Sequence, residues 1–530
     1  MIWEMLTVNK DVFKDMAIPN TQGSVAAIER ALQDKRRTPK ASSAVAGLRQ
    51  PLTAATLSSI TPVTKKRGAA EGISPVAAQP KTARVAEKTK MAITNDSLGL
   101  LAAGGEARGT NVTLLAPVFG EHLRAYMYAR LDAVAENARN ELVEFGKALM
   151  SEAGKLEVPK GSEDADIVFD PVGAPVHGRN VLVLGRVVCD AASGKLNTKA
   201  LLLEGTNGVR VSLDVDPFAG RYSVFPGQHL VVEGSCATGT TVQVERLYDG
   251  SVLAAPSTQR PCAPAKIWLA CGPFTDANTL DYAPLAALLS ECREHKPDVL
   301  VLVGPLIDAE HPLIKTGSFR LEGGDYTFED GYAICLKQIC AQLGPDSRTR
   351  VVVVPSADDV TSVSMALPQA PMTLPLDLEP EERARFTMLP NPCVFQVGGE
   401  HGPVVGLGNV DALFHFMDEG SPYQGLNSEG LQRLCNHMLL QRSFYPQAPA
   451  HPEACVDMTQ RAALRLPAVD ILVTPSRLAR FASAAHNVLC INPGKSMPAK
   501  TSATFCMLDV HEGEQPLADK TRVEFRTVDF

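Results

Sequence analysis

A long segment near the N-terminus lacks aromatic residues. No Phe, Trp or Tyr occurs between Phe13 and Phe119, and the segment is rich in Ala, Ser, Thr, Pro and Lys. Without large apolar side chains, a segment buries too little surface to offset the entropy lost on ordering. We therefore predict that residues 1–110 are a disordered basic linker with a short N-terminal segment before it.

Three further absences limit the class of protein. The twelve cysteines contain no C-x-x-C pair, so a common zinc motif is excluded and buried reduced thiols are expected. No apolar run approaches the ~20 residues of a membrane span, so no membrane partner is expected. The first residues, "MIWEMLTVNK", lack the pattern of a secretory signal. The sequence therefore predicts a nuclear or cytosolic protein.

The charge is unevenly distributed along the chain. Between Arg30 and Lys90 there are 13 basic and 3 acidic residues, against 38 basic and 56 acidic residues elsewhere. An acidic folded body repels nucleic acid, whereas a basic tail attracts it. If this protein works on DNA, its body is expected to do so mainly through a partner.

The basic linker carries two kinds of candidate signal. Its Thr-Pro and Ser-Pro pairs are minimal sites for proline-directed kinases, and its basic runs are typical pieces of a nuclear import signal. A solvated linker with incidental pairs is the alternative. The candidate phosphosites are Thr38, Thr61 and Ser74, and the candidate import residues are Lys35, Arg36, Arg37, Lys65, Lys66 and Arg67.

The rest of the chain divides by its hydrophobic period. A helical lead-in is predicted over residues 111–160, because apolar residues recur at spacings of 3 and 4 from Leu123 to Leu149. Five short strands separated by turns predict a barrel of the OB type over residues 161–255. Strands alternating with helices predict a large layered domain over residues 264–530. The predicted fold class is therefore mainly β and α/β.

The predicted barrel has few features of a nucleic-acid platform. OB barrels that bind single strands use aromatic side chains and basic grooves. This one offers four aromatic residues and little basic charge, which favours a structural barrel. Those aromatic residues are Phe218, Tyr222, Phe225 and Tyr248.

The strand ends of the last domain lack metal ligands. A two-metal phosphoesterase collects Asp, His and Asn side chains from several strand ends. Here proline, glycine, cysteine and serine stand at four such ends, although two aspartates follow nearby. We expect those aspartates to cap local turns, and we expect no metal or other cofactor. The positions of this degenerate site are Cys271, Gly272, Pro273, Gly304, Pro305, Asp308, Pro355, Ser356, Asp359, Pro475 and Ser476.

Other catalytic motifs are also missing. The sequence contains no G-x-x-x-x-G-K-[ST], no G-x-S-x-G and no G-x-G-x-x-G. "GLGNVD", which starts at Gly406, is interpreted as a turn, and His437 as a packed residue rather than a ligand. No catalytic residue is therefore assigned.

A barrel followed by a phosphoesterase-like domain without its ligands resembles the B subunits of eukaryotic replicative DNA polymerases. Gly304-Pro305 makes the alpha type the closer match. The resemblance runs in consistent order from about Val112 to the C-terminus. The stretches that carry it are "LGRVVCDAASGKLNTKALLLEG", "YSVFPGQHLVVEG", "LACGPFTD", "KPDVLVLVGPLIDAEH", "VVVPSADDV", "LLQRSFYP", "DILVTPSRLARF" and "INPG".

The resemblance implies a function that spacing alone does not. Such subunits are non-catalytic nuclear phosphoproteins, in which the OB barrel packs on an inactive calcineurin-like phosphoesterase domain. They bind the C-terminal, metal-containing domain of the polymerase alpha catalytic subunit and, through it, the small and large primase subunits of the primosome. The family also has a helical N-terminal module, and the roughly 30 residues before the linker are too few for one.

Three alternatives remain open from the sequence. The chain could be the B subunit of DNA polymerase delta or epsilon. It could be a residually active metal-dependent phosphodiesterase or nuclease that uses Asp308, His311, Asp358 and Asp359. It could also be a single-strand-binding module built on the barrel and the linker.

Overall fold

The computed structural model describes residues 94–95, 97–98, 110–116, 130–151, 167–168, 180–190, 195–251 and 262–530, with gaps at 277, 318–319, 322–323, 363, 427–429 and 495–501. Residues Lys88–Phe530 form one compact unit. The candidate phosphosites and import residues lie outside the described part of the chain. No described helix is long and apolar enough to cross a membrane.

The elements of the N-terminal half begin with a strand that the sequence did not predict. It lies within the predicted helical lead-in and is followed by one helix and the barrel strands. In chain order these are β1 (Val112–Ala116), α1 (Leu131–Ser151), β2 (Ile167–Val168), β3 (Asn180–Cys189), β4 (Leu201–Glu204), β5 (Arg210–Asp214), β6 (Tyr222–Ser223), β7 (His229–Ser235) and β8 (Thr241–Tyr248).

The C-terminal half alternates strands and helices as its sequence pattern predicts. Its strands are β9 (Ala265–Cys271), β10 (Val299–Val303), β11 (Arg320–Leu321), β12 (Gly324–Asp325), β13 (Arg350–Val354), β14 (Phe386–Met388), β15 (Cys393–Val397), β16 (Val404–Leu407), β17 (Tyr423–Gln424), β18 (Ile471–Val473), β19 (Phe481–Ala485), β20 (Val488–Asn492), β21 (Ser502–Val510) and β22 (Thr521–Asp529). Its helices are α2 (Ala283–His295), α3 (Pro312–Lys315), α4 (Phe328–Leu343), α5 (Pro380–Arg385), α6 (Ala412–Asp418) and α7 (Gln432–Leu440).

The barrel closes on itself. Its sheet runs β2-β3-β4-β5-β8-β7, and β3 also pairs with β7, so the five long strands form a ring. Alternate residues of these strands point inward, as the burial of β4 shows, and form one apolar core. Tyr222 and Phe225 are buried, and Tyr248 donates a hydrogen bond to Glu233. These aromatic rings therefore do not form an exposed stacking platform.

Two six-stranded sheets form the large domain. One runs β14-β13-β10-β9-β21-β22 and the other β1-β15-β16-β18-β20-β19. Apolar side chains of both sheets fill the space between them, which is why their strands read as continuous apolar runs. Helices α2 and α4 cover the outer face of the first sheet, and α6 and α7 cover that of the second. The predicted fold class, mainly β and α/β with a closed barrel and a layered sandwich of two sheets, is confirmed.

Local signals position the helices. Thr327 and Asp330 form a capping box at the start of α4, and α2 has proline in its first turn and ends where Lys296 adopts a left-handed conformation. Helix α1 begins at Leu131 in the described residues, so only the later part of the helical pattern that runs from Leu123 to Leu149 is seen as a helix. All twelve cysteines lie in the described part of the chain; ten are buried, as predicted, and all are free thiols.

Candidate functional site

The carboxyl ends of the parallel strands in both sheets meet at one pocket of about 460 Å³. Strands β9, β10 and β13 are parallel in one sheet, and β16, β18 and β20 are parallel in the other. Parallel strands place their carboxyl ends at the same edge, where ligands bind in open sheets. Of the positions predicted for the degenerate site, those that line the pocket are Cys271, Gly272, Gly304, Pro305, Ser356 and Pro475.

The side chain of Asp359 accepts hydrogen bonds, mainly from backbone N–H groups. Its carboxylate is buried and accepts hydrogen bonds from the N–H groups of Leu306, Ile307 and Thr361 and from the Thr361 hydroxyl. Burial raises the pKa of this carboxyl, and the bonds that it accepts oppose that rise. Asp308 forms a β-bridge with Asp359 and accepts a bond from the N–H of Glu310. Both aspartates therefore cap local backbone, as the sequence predicts.

His311 also has both ring nitrogens occupied. Its Nδ1 accepts a hydrogen bond from the N–H of Leu313 at the start of α3, and its Nε2 donates to the carbonyl of Asp276 at 2.8 Å. The ring is buried. The four residues that a rearranged hydrolytic site requires are thus not gathered as ligands, since three of them hold backbone groups of nearby loops.

Asn409 ties the strand ends of one sheet to the loops of the other. Its side-chain amide donates to the carbonyls of Gly304 and Pro355 at 3.2 and 3.0 Å, and its backbone N–H donates to Asn391. The sequence predicts a turn here but gives no signal for this cross-sheet contact. A Cβ on Gly272 would lie 2.2 Å from the Pro305 carbonyl oxygen. The backbones of the β9 and β10 strand ends are therefore packed directly against each other.

One group of described residues has ligand atoms close enough for a metal ion. His415, His451 and Glu453 bring such atoms within 4.8 Å of one another. The two imidazole rings are stacked, with centroids 4.2 Å apart and planes 11° apart. A metal bound in the plane of one ring would lie out of the plane of the other, so the stacking opposes joint coordination. The residues present do not fit the two-metal centre of an active phosphoesterase.

Hydrogen bonds account for this histidine pair. Tyr445 bonds the Nδ1 of His415 at 3.0 Å, and Asp418 accepts from the Nε2 of His451 at 3.1 Å. Burial lowers the pKa of His415 to about 4, so the ring is neutral at physiological pH. Asp418 also pairs with Lys195 of the barrel. The pair therefore links the pocket wall to the neighbouring barrel.

Arg477 is held at the pocket wall by two carboxylates and an aromatic ring. Its guanidinium bonds Asp411 at 3.0 Å, pairs with Glu453 and lies 4.2 Å from the centroid of Phe414. This contact holds the pKa of Glu453 below its ordinary value. Sequence reasoning missed both Arg477 and its partners, because Asp411 and Glu453 come from distant loops.

Further polar contacts that the sequence did not reveal join the sandwich to α1 and to the barrel. We call this boundary the seam. Arg461 pairs with Glu141 of α1 at 3.2 Å with little exposure. Gln441, next to α7, bonds the N–H and the carbonyl of His229 in the barrel. His437 is packed, as predicted: it bonds Ser223 at 3.0 Å, and burial lowers its pKa to about 3.

Two family models match the chain in the order in which these domains occur. The model of the OB domain of the DNA polymerase alpha B subunit matches residues 168–250. The model of the DNA polymerase alpha/epsilon B subunit matches residues 267–483. The first covers the barrel. The second covers most of the sandwich, including the strand ends at Cys271, Gly304, Ser356 and Pro475 that shape the pocket.

Curated relatives agree with these models. The DNA polymerase alpha B subunit of Mus musculus is 30% identical over 388 residues, covering 72% of this chain and 60% of that protein. The corresponding protein of Schizosaccharomyces pombe is 30% identical over 355 residues, covering 62% and 59%. The chain thus spans about 60% of the length of these relatives.

Solved structures of Vps29 also match, at low similarity. A single mutant of the Entamoeba histolytica protein is 12% identical with a TM-score of 0.20, covering 50% of this chain and 99% of that one. The Cryptosporidium parvum protein is 13% identical with a TM-score of 0.21, again covering 50% of this chain and 99% of that one. The assignment depends instead on the two ordered family matches and the curated relatives: the chain belongs to the family of DNA polymerase alpha/epsilon B subunits.

Proposed function

We propose that this protein is the non-catalytic accessory subunit of DNA polymerase alpha–primase. It binds the C-terminal domain of the catalytic subunit and holds it in the complex that makes RNA–DNA primers, with the two primase subunits attached through that complex. The observation that carries the proposal is the ordered match of an alpha-type OB model and a B-subunit model across barrel and sandwich. Such a subunit works in the nucleus.

The chemistry of the pocket supports a role without catalysis. Its predicted ligand positions are glycine, proline, serine and cysteine, which offer no paired carboxylates for hard cations. The nearby Asp359 and His311 already form hydrogen bonds with backbone groups. A two-metal hydrolase needs such groups free to hold its ions.

The charge of the folded body supports indirect contact with DNA. The chain outside the basic linker carries 38 basic and 56 acidic residues, and such an excess of negative charge repels phosphate. In the barrel, Arg186 and Arg210 are both paired with Glu204. The barrel is therefore a structural module, and partners hold the primer duplex.

Affinity purification of the tagged full chain from nuclear extract tests this proposal. We expect the polymerase alpha catalytic subunit and both primase subunits in stoichiometric amounts. Recovery of the epsilon catalytic subunit instead would keep the scaffold mechanism and change the polymerase. A chain that emerges alone, with manganese-dependent phosphodiesterase activity, would overturn the proposal.

A further inference from the structure

The pocket at the strand ends carries the charge opposite to that of a phosphate-binding site. Four carboxylates, those of Glu310, Asp358, Asp411 and Glu453, and one guanidinium line it. His415 adds no positive charge, because burial lowers its pKa to about 4. Carboxylates in excess repel phosphate and attract cations. The pocket is thus electrostatically suited to a positively charged occupant.

The carboxylates divide into two sets. Asp411 and Glu453 already share one cation, the Arg477 guanidinium. Asp358 is exposed, and in the described chain nothing pairs with its carboxylate, while its backbone N–H is held by Ser356. Glu310 is exposed and pairs only at the surface with Lys315, a contact worth little in water. Asp358 and Glu310 therefore form the open acidic side of the pocket.

The pocket also has an apolar rim. Met365 is 68% exposed and lines the pocket, as does the exposed Cys455. Methionine adapts its shape to a partner and is common at protein-binding surfaces. A long cationic side chain presents an aliphatic stem behind its charged end. The volume, about 460 Å³, lies within the range of ligand pockets.

Arg477 shows how this wall holds a cation. Its guanidinium sits between two carboxylates and over the ring of Phe414. Asp358, Glu310 and Met365 line the same pocket, and the β-bridge between Asp308 and Asp359 brings the backbones next to Asp358 and Glu310 together. The pocket thus offers an outside cation the same kinds of group, carboxylates and apolar side chains, that its wall already uses for its own arginine.

We propose that the pocket receives a lysine or arginine side chain of a partner protein, with its charged end at Asp358 and Glu310 and its stem against Met365. The proposal rests on the proposed function, since the partner is the catalytic subunit of the polymerase. On this proposal the pocket at the strand ends is a binding site for a side chain of a partner protein.

The test measures the affinity of the full chain for the purified C-terminal domain of the polymerase alpha catalytic subunit by calorimetry. The variants are Asp358→Asn, Asp358→Lys and the matched control Glu514→Lys, which reverses an exposed carboxylate outside the pocket. We expect a few-fold weaker binding for Asp358→Asn, about tenfold or more for Asp358→Lys, and wild-type binding for Glu514→Lys. Thermal unfolding verifies that each variant is folded.

The outcomes separate this proposal from the one on which it rests. If the wild-type chain binds the domain and Asp358→Lys binds equally well, the proposed binding site is refuted and the proposed function stands. If the wild-type chain does not bind the domain, both are refuted. If Asp358→Lys changes only self-association in gel filtration, the occupant is a second copy of the chain and the proposal fails.

Discussion

The strand ends and the domain seam use their polar residues in different ways. At the strand ends, Asp308 bonds a backbone group two residues along the chain, and Asp359 and His311 do so too. Asp359 and His311 also bond backbone groups of neighbouring loops in the same domain, 53 and 35 residues away. At the seam, Gln441 bonds His229 from 212 residues away, and Arg461 reaches Glu141 on α1. The polar side chains at the strand ends are of the types found in catalytic sites, but here they hold loops within the sandwich. Those of the seam join the barrel to the sandwich. In both regions the buried polar groups maintain architecture.

The largest expected loss of stability follows from breaking an ion pair at the seam. Glu141→Ala leaves the Arg461 guanidinium buried without its partner, which should cost about 4 kcal/mol in the free energy of unfolding. Glu144→Ala, on the same helix, removes an exposed pair with Arg465 and should cost less than about 1 kcal/mol. Urea unfolding of both variants measures the difference. Equal losses would mean that α1 does not lock the two domains.

A smaller effect is expected at the strand ends. Asp359→Ala leaves the buried N–H groups of Leu306 and Ile307 without an acceptor, which should cost about 3 kcal/mol. Asp308→Ala, nearer the surface, should cost about 1 kcal/mol. The comparison is made by urea unfolding at neutral pH. A variant Asp359→Ala as stable as the wild type would show that this carboxylate is not structural.

Acid should weaken the seam through its buried histidines. Burial lowers the pKa of His437 and of His229 to about 3. A depressed pKa gives stability above the unfolded value of about 6.5 that is lost as the pH falls towards the folded value. Between pH 7 and 5 each ring should therefore cost about 2 kcal/mol.

The pH effect is checked by measuring unfolding at both pH values in His437→Gln. The decline from pH 7 to 5 should be about 2 kcal/mol smaller in this variant than in the wild type. His401→Gln, which changes an exposed histidine, should leave the decline unchanged. If His437→Gln loses as much unfolding free energy between pH 7 and 5 as the wild type does, other groups cause the acid sensitivity.

The last prediction concerns manganese, which should change neither the stability nor the activity of the chain. At the described strand ends, Asp359 and His311 already bond backbone groups, and the stacked rings of His415 and His451 do not share a coordination plane. Titration of the full chain with Mn²⁺ should shift neither its unfolding temperature nor its hydrolysis of a phosphodiester substrate. Hydrolysis that disappears in Asp359→Asn would reveal a working metal site.

The comparison also explains how much the sequence could predict. The barrel strands, the sandwich strands and helices α2 and α4 follow from local periodicity and capping. The local caps at Asp308 and Asp359 follow because these partners are close in sequence, whereas the bonds of Asp359 to Leu306 and Ile307 could not be predicted. The strand β1 lies in the segment predicted as helical, because its pairing with β15 is set by residues far along the chain.

The same physical limit applies to the candidate site. The lack of ligand side chains could be read from the sequence at each strand end separately, since each follows an apolar run. The role of Asn409 could not be predicted, because its side chain bonds carbonyl groups that follow strands of the other sheet. The stacking of His415 on His451 and the pairing of Arg477 with Glu453 join different loops. Local patterns predict what a residue caps, but contacts between layers appear only in three dimensions.

The most direct test of the scaffold account is the mass of the complex in solution. The purified full chain is mixed with the C-terminal domain of the polymerase alpha catalytic subunit and analysed by gel filtration with light scattering. The account predicts a single species with the mass of one copy of each. Two separate species at micromolar concentration, each with the mass of the isolated component, would contradict it.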